Sequence, residues 1–355
     1  MSAAEWMIYG ANGYTGRLIA EEAARRGMRP VLAGRSADAI VPLATKLGCP
    51  HRVFSLDGAA AEQLSSMRVV LHCAGPFSAT ARPMIDACLK ARTSYLDITG
   101  EIDVIELAAS RHDAAQRAEV AVIPAVGFDV VPSDCLAAQL AAALPTAERL
   151  LLAFESTGSL SPGTAKTSLE SLPHGGRVRV NGQIVRVPTA WKTREVDFPG
   201  RRLMTATIPW GDVASAYHST GIKNIEVYVA MPPGQIRQLQ WTRWLLPLAA
   251  LPPIQRMARR RIERTVPGPN AQELVKTRSS FWGRVEDTAG QYAEATLVTL
   301  GGYPLTVVTS LMFVEAALAG TLPTGFSTPS RALGKNVIER VPGAQFSWRH
   351  RPATA

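Results

Sequence analysis

Gly10-Ala11-Asn12-Gly13-Tyr14-Thr15-Gly16 lies between a short apolar run, Trp6–Tyr9, and a segment of helical composition, Ile19–Arg26. A strand that turns this tightly into a helix needs glycine wherever a Cβ would block an approaching pyrophosphate. The helix start in turn offers amide N–H groups and the positive end of its dipole to that anion. The spacing is G-x-x-G-x-x-G, which departs from the common G-x-G-x-x-G fingerprint in its first interval. At a strand–helix junction the pattern predicts that Gly10, Asn12, Gly13, Tyr14, Thr15 and Gly16 line a dinucleotide cofactor.

Outward from this turn the chain alternates. Val31–Ala33, Val69–Ala74, Ser94–Ile98 and Val120–Pro124 read as further strands of a buried parallel sheet, and Ala37–Leu47, Thr80–Ala91 and Asp103–Ala118 as the helices between them. Strand–helix alternation of this kind defines the α/β class and predicts a doubly wound parallel sheet of the Rossmann type.

The end of the second strand bears on which dinucleotide is bound. A domain selective for NAD usually places Asp or Glu there, whereas this chain reads Gly34-Arg35-Ser36. Arg35 stands about 20 residues past the last glycine, where its guanidinium pairs with a 2′-phosphate, and Ser36 adds a hydroxyl donor. NADP(H) is the expected cofactor. Asp57, after a short third strand, is placed near the adenine. Ala74-Gly75-Pro76 ends the fourth strand at the sheet's carboxyl edge, where cofactors lie in open α/β sheets. Cys73 reads as a buried small apolar residue rather than a nucleophile.

With these residues in place, the chain resembles the saccharopine dehydrogenase-like family, including bacterial members related to trans-acting enoyl reductases. Besides the glycine turn and Gly34-Arg35-Ser36, the resemblance rests on Tyr95-Leu96-Asp97-Ile98-Thr99-Gly100-Glu101, Gly127–Asp134, Ile208–Asp212, Gly325–Pro329 and Ala332-Leu333-Gly334. It implies a Rossmann domain over 1–131, completed by C-terminal helices returning over 304–355, with an inserted α+β domain over 132–303 for substrate or oligomer contacts. In that insert, Arg177–Val180 and Gln183–Val187 flank Asn181-Gly182, a two-residue hairpin signal; Ile225–Ala230, Ser280–Asp287 and Tyr292–Leu300 read as more strands of a mostly antiparallel sheet. Thr306–Leu318 and Ser330–Glu339 read as helices. The resemblance also implies NADP-dependent reduction of imine-like substrates or of carrier-bound or lipid-like enoyl groups, and is compatible with a homodimer.

Hydride transfer is the cofactor's chemistry, so the protein has to place the substrate and supply a proton. Tyr95, Asp97, Asp129 and Lys166 are the candidates. Against each stands a plainer role: Asp97 as a turn cap, Asp129 as organiser of a helix junction, Lys166 as a solvated helix residue. The tyrosine–lysine pair of short-chain dehydrogenases is absent, since Tyr95, Tyr217 and Tyr228 are followed four residues on by Thr99, Gly221 and Pro232. No metal site is expected: the six histidines, among them His174 and His218, and the four cysteines show no ligand spacing.

Lys and Arg total 38 against 29 Asp and Glu, a formal charge of +9, with a pI near 9.7. This favours acidic partners such as phosphates, acyl carrier proteins or anionic lipid surfaces. Nucleic acid is not among them, because the arginines are dispersed and no nucleic-acid motif is present. Trp241, Trp244 and the apolar stretch to Ile254 precede Arg256, Arg259, Arg260, Arg261 and Arg264. An amphipathic helix pair packed on the second domain with a solvated arginine face accounts for this segment. So does a surface for an anionic membrane or an acidic acyl carrier protein, or a lid over a lipid-like substrate. Its apolar stretch is about half the roughly 20 residues that span a bilayer and is interrupted by Pro247, Pro252 and Pro253. With no signal-peptide pattern and no disulfide framework, the expected location is cytoplasmic, with peripheral membrane contact as a variant. Two functional classes fit: an NADPH-dependent reductase acting on a small-molecule or carrier-bound acyl substrate, and a non-catalytic NADP-binding scaffold or redox sensor.

Overall fold

The computed structural model describes residues 5–156, 158, 161–171, 173, 175–266 and 268–352. The chain divides into two compact units: the residues up to Val131 with Tyr303–Leu333, and Pro132–Gly302 with Gly334 onward. His174 lies outside the described residues.

In the first unit, β1 (Trp6–Tyr9), β2 (Val31–Gly34), β3 (His51–Val53), β4 (Val69–His72), β5 (Ser94–Asp97) and β6 (Ala121–Ile123) form a parallel sheet in the order β3-β2-β1-β4-β5-β6, with Gly325–Phe326 as a seventh strand beside β6. Every residue of β1, β2 and β4 is buried, which is why these strands read as continuous apolar runs rather than as alternating ones. Connections run to one side from β1 to β3 and to the other from β4 to β6. The switch point between β1 and β4 therefore leaves a crevice at their carboxyl ends, where an α/β sheet binds its ligands.

The helices are α1 (Tyr14–Arg25), α2 (Ala37–Leu47), α3 (Ala60–Leu64), α4 (Phe77–Ala91), α5 (Ile102–Ala109) and α6 (His112–Ala118). Two start earlier than their apolar periodicity indicates: α1 begins straight after Gly13 and α4 straight after Pro76, with Phe77 at the start of α4 already in the core. The helix expected over Asp103–Ala118 breaks at Ser110 and Arg111, where the Ser110 hydroxyl bonds back to the Leu107 carbonyl at 2.6 Å. A helix over Gly302–Leu318 joins this unit through Thr309, whose hydroxyl donates to the Val126 carbonyl at 2.8 Å, and through Thr306, whose Oγ1 accepts the Phe128 amide at 3.0 Å.

The second unit contains α7 (Val131–Ala143), β7 (Arg149–Ser156), α8 (Pro162–Ser171), β8 (Gly176–Val180), β9 (Gln183–Val187), β10 (Thr193–Phe198), β11 (Arg201–Thr207), α9 (Asp212–Thr220), β12 (Asn224–Ala230), α10 (Pro233–Thr242), α11 (Pro252–Thr265), α12 (Ala271–Lys276), β13 (Arg278–Glu286) and β14 (Tyr292–Leu300). The sheet runs β10-β11-β12-β7-β13-β14 and ends on Gln345–His350, with the β8–β9 hairpin attached at β12. Its pairings are antiparallel except for β7 with β12. The hairpin turns through Asn181 and Gly182 at φ 49° and 81°, the left-handed pair that a two-residue connection requires. Gly283 on β13 admits α7 against the sheet, since a Cβ there would stand 2.6 Å from a methyl of Leu140.

The expected return of 304–355 to the first unit holds only as far as Leu333. Residues 334–355 group with the second unit: Gln345–His350 pairs antiparallel with β14, and Gln139 of α7 donates to the Lys335 carbonyl at 3.3 Å. The helix expected over Ser330–Glu339 is two pieces, Pro329–Leu333 and a 3₁₀ turn at Val337–Arg340, parted at Gly334 with φ +91°. The α-helix does not continue through that left-handed residue.

Candidate functional site

The turn after β1 is closed by backbone alone. The Gly10 and Ala11 amides donate to the Ala33 carbonyl at 2.8 and 3.2 Å, and the Gly13 amide donates to the Gly10 carbonyl at 3.0 Å. Gly10 adopts φ +84°, and a Cβ on it would lie 2.7–2.8 Å from the backbone and Cβ of Ala74, which begins the turn after β4. A Cβ on Gly16 would fall well under 3.0 Å from the Gly10 carbonyl oxygen. The glycines thus let three segments of main chain pack together. Gly13, the residue before α1, has no side chain with which to cap it, so the first turn of α1 carries no side-chain cap; Asn12 and Gly13 are exposed and Tyr14 and Thr15 partly so. An uncapped helix start behind an exposed glycine turn is a site for an anion.

Next to it, Gly34 ends β2 close to Asn12: a Cβ at Gly34 would be 3.1 Å from the Asn12 amide oxygen. Arg35 and Ser36 follow, both exposed, and Ser36 occupies the N-cap of α2 without using its hydroxyl as a cap. Arg35 makes no ion pair or side-chain hydrogen bond among the described residues. A cation, an uncommitted hydroxyl and a second helix start therefore stand side by side, a donor set suited to a phosphate monoester. Asp57 is exposed, and its Oδ1 accepts the Ala59 amide at 3.0 Å, turning the chain into α3. Gly75 is exposed and Pro76 starts α4, while the Ala74 carbonyl accepts the Thr80 hydroxyl at 2.7 Å.

At the carboxyl ends of β5 and β6 the structure brings together three of the four candidate catalytic residues. Tyr95 donates to Asp97 Oδ2 at 2.6 Å, and Asp97 Oδ1 accepts the amides of Thr99 at 3.0 Å and Ala125 at 2.7 Å. Burial pushes the Asp97 carboxyl up to about 6 against the opposing pull of these three donors. Burial and the Asp97 charge push the Tyr95 phenol well above its usual value. Both side chains are fully buried and hydrogen-bonded to each other, and the pair ties the β5 end to the loop after β6.

Asp129 is different. It packs directly over Gly100, where a Cβ would stand 2.5 Å from Asp129 Oδ2. Withdrawal from solvent and, secondarily, the charge of Glu101 push its carboxyl up to about 7. Glu101 accepts the Phe77 amide at 3.0 Å and so caps α4. Two carboxyl groups from adjacent strand ends thus share one neighbourhood, and one of them is raised toward neutral pH. Glu101 is the residue that sequence reasoning left out of the site. Its position directly after Thr99-Gly100 at the carboxyl end of β5 was the available signal.

Two further groups line the base of this region. His72, at the end of β4, is fully buried among Tyr9, Phe77 and Tyr95 with ring centroids 5.7, 5.3 and 6.1 Å away, and desolvation holds it down to about 3, so it is neutral. Its Nε2 lies 3.0 Å from the Thr80 hydroxyl. Because that hydroxyl donates to the Ala74 carbonyl, the imidazole donates through Nε2. Burial pushes the Cys73 thiol up, so it has no thiolate to offer. Lys166 belongs to the other unit, on α8. Among the described residues no group of three His, Cys, Asp or Glu could hold a metal ion.

Residues 6–125 match the family described as the Saccharopine dehydrogenase NADP binding domain. The chain is 32% identical over 154 residues to a saccharopine dehydrogenase-like oxidoreductase of Bos taurus, which covers 36% of this chain and 35% of that protein. It is 37% identical over 147 residues to a trans-acting enoyl reductase of Mycobacterium tuberculosis, covering 38% and 34%. The chain thus spans about a third of the length of these curated relatives. Among solved structures, it is similar to apo saccharopine dehydrogenase (L-Glu forming) of Saccharomyces cerevisiae, with a TM-score of 0.64 at 12% identity over 98% of this chain and 100% of that one, a likeness of fold. The glycine turn, Arg35 and Ser36 all lie inside the stretch, residues 6–125, that matches the saccharopine dehydrogenase NADP binding domain.

Proposed function

We propose that the chain is an NADPH-dependent reductase of a polarised double bond, the C=C of an enoyl thioester or the C=N of an imine, and that Asp129 is its proton donor. The observation that carries this reading is the Asp129 carboxyl, pushed up to about 7 at the carboxyl edge of the sheet whose first turn is shaped for a pyrophosphate.

NADPH fits the residues present. Gly10 and Gly16 let main chain pack on main chain and leave Gly13 exposed before an uncapped helix start, and Arg35 with Ser36 supplies the donors for a 2′-phosphate. When bound, NADPH supplies the hydride. The chain supplies the rest: the glycine turn and the start of α1 hold the pyrophosphate, and Arg35 selects the phosphorylated ribose. Asp129 delivers one proton to the atom of the double bond that does not receive the hydride, then recovers one from solvent. Withdrawal from solvent raises the Asp129 carboxyl, and the Glu101 charge adds to it, because two adjacent carboxylates resist ionising together. The names of the bovine and mycobacterial relatives, an oxidoreductase and an enoyl reductase, support the reaction class.

The test pairs binding with turnover. NADPH and NADH are titrated calorimetrically, and loss of NADPH absorbance is followed with a crotonyl thioester and with an imine formed from a keto acid and an amine, for the wild type and for Asp129→Asn. NADPH-selective binding with turnover that collapses in the variant is the expected result. NADPH binding with no turnover of either substrate would make the chain a non-catalytic NADP-binding protein, and absence of binding would leave the glycine turn a structural one.

A further inference from the structure

We infer that the helical segment of the second unit from Pro233 to Lys276 docks on an anionic lipid surface, with a tryptophan- and leucine-rich tip at the acyl boundary and an arginine face on the headgroup phosphates.

The tip is anchored at one end and bare at the other. Ile236 of α10 is buried and Gln240 donates to the Ala190 carbonyl at 3.0 Å, yet Trp241 and Trp244 just beyond are 80% and 73% exposed. A 3₁₀ turn over Leu246–Ala250 follows, with Leu245, Leu248 and Leu251 exposed around it. Seven of the chain's eleven exposed large hydrophobic side chains in the described residues fall between Trp241 and Val275. Single exposed apolar residues are ordinary on a soluble protein, but a run holding two indoles is not.

The arginines lie immediately beyond. On α11 one face packs inward, with Gln255 donating to the carbonyls of Leu169 at 3.3 Å and Ala249 at 2.7 Å. The opposite face presents Pro253, Arg256, Met257, Arg260, Arg261 and Arg264, spaced three and four residues apart, along a groove of about 630 Å³. Arg256, Arg260, Arg261 and Arg264 form no ion pair among the described residues. Residues 237–264 hold seven arginines against one glutamate, six of the nine net positive charges of the whole chain. Charge left uncompensated on one helix face selects an anionic partner.

The layering favours lipid over an acidic protein. Apart from Arg243, the indoles and leucines come first and the five arginines of 256–264 follow, the order of acyl boundary and phosphate in a leaflet, whereas the core of a protein interface intermixes them. No described helix is long and apolar enough to cross a membrane, so the segment lies on the surface.

The experiment is co-sedimentation of the full chain with vesicles of phosphatidylglycerol and phosphatidylcholine, and with phosphatidylcholine alone, at low and high salt. Binding to the anionic vesicles only, weakened by salt, with a blue shift of indole emission, is expected. A basic residue near an anionic surface is worth about fivefold in affinity, so the triple change Arg256→Gln, Arg260→Gln, Arg261→Gln should weaken binding about 100-fold. Trp241→Ser with Trp244→Ser should abolish the blue shift and weaken binding at least about tenfold. All five side chains are exposed, and unchanged NADPH affinity and far-UV dichroism verify that the variants fold. No binding to anionic vesicles at low salt, or equal binding by the variants, would overturn the inference. Retention on an acidic acyl carrier protein without vesicle binding would replace lipid by a protein partner, and a dimer dissociated by the tryptophan changes would replace it by a second copy of the chain.

Discussion

The carboxylate of Asp129 occupies the space that a side chain on Gly100 would need: a Cβ there would stand 2.5 Å from Oδ2. Gly100→Ala should therefore move Asp129 out of register without touching the glycine turn. The expected result is a fall in kcat of at least about tenfold with an unchanged NADPH dissociation constant, because a misplaced proton donor is inefficient while the cofactor site is intact. Stopped-flow turnover and calorimetry on the same preparation check it; a joint loss of both quantities would refute the separation of the two sites.

Asp129 should also be visible in pH profiles. Its pKa in the folded chain is raised from 3.8 to about 7. Between those values the native state holds a proton that the unfolded chain has shed, so this group's contribution to stability falls as pH climbs through the window. Asp129→Asn stays neutral at every pH and should flatten that fall, raising Tm by about 2–4 °C at pH 8 for each ~1 kcal/mol relieved. The same variant should lose at least about 100-fold in kcat, and the wild-type kcat should decline above about pH 7 as the proton is lost. A thermal melt and a kcat profile across pH 5 to about 9 measure both.

Glu101 raises the Asp129 carboxyl by its charge and accepts the Phe77 amide. Glu101→Gln retains the acceptor and removes the charge, so the alkaline decline in kcat should move to lower pH while Tm changes little. An unmoved decline would mean that desolvation alone sets the Asp129 value.

Arg35→Ala should weaken NADPH binding about 10- to 100-fold, the range for a charge-assisted bond to phosphate, and leave NADH binding unchanged. Ser36→Ala should cost about threefold to tenfold. Competitive titration distinguishes them; equal losses for both cofactors would place Arg35 away from the 2′-phosphate.

Removal of residues 334–355 should unfold the second unit and spare the first, since it strips the strand that covers the edge of β14 and the partner of Gln139. An uncovered β14 edge is a template for aggregation. Hydrogen exchange should show protection kept in β1–β6 and lost in β13 and β14.

Much of this molecule was legible along the chain. The strands of the first sheet are buried on both faces, so their apolar runs stand out, and the glycine turn announces itself because backbone packing of Gly10 on Ala74 and of Gly16 on Gly10 tolerates no other residue. Arg35 and Ser36 stand directly after β2, the register that the length of one strand–helix–strand unit leads one to expect. Less visible were β7, β10 and β11, where tertiary partners rather than local pattern define the edges. Asp97 and Asp129 looked alike in sequence, each an acid after a strand. The fold sets Asp97 against the Tyr95 hydroxyl and the Thr99 and Ala125 amides, and sets Asp129 over Gly100 beside Glu101.

By itself the sequence determined the α/β class, the position of the cofactor turn and the choice of NADP, because those depend on backbone sterics and charge within a few residues of one another. Tertiary structure alone decided how far each acid is withdrawn from solvent and which sheet receives the last strand, because burial and strand pairing join residues that are distant along the chain.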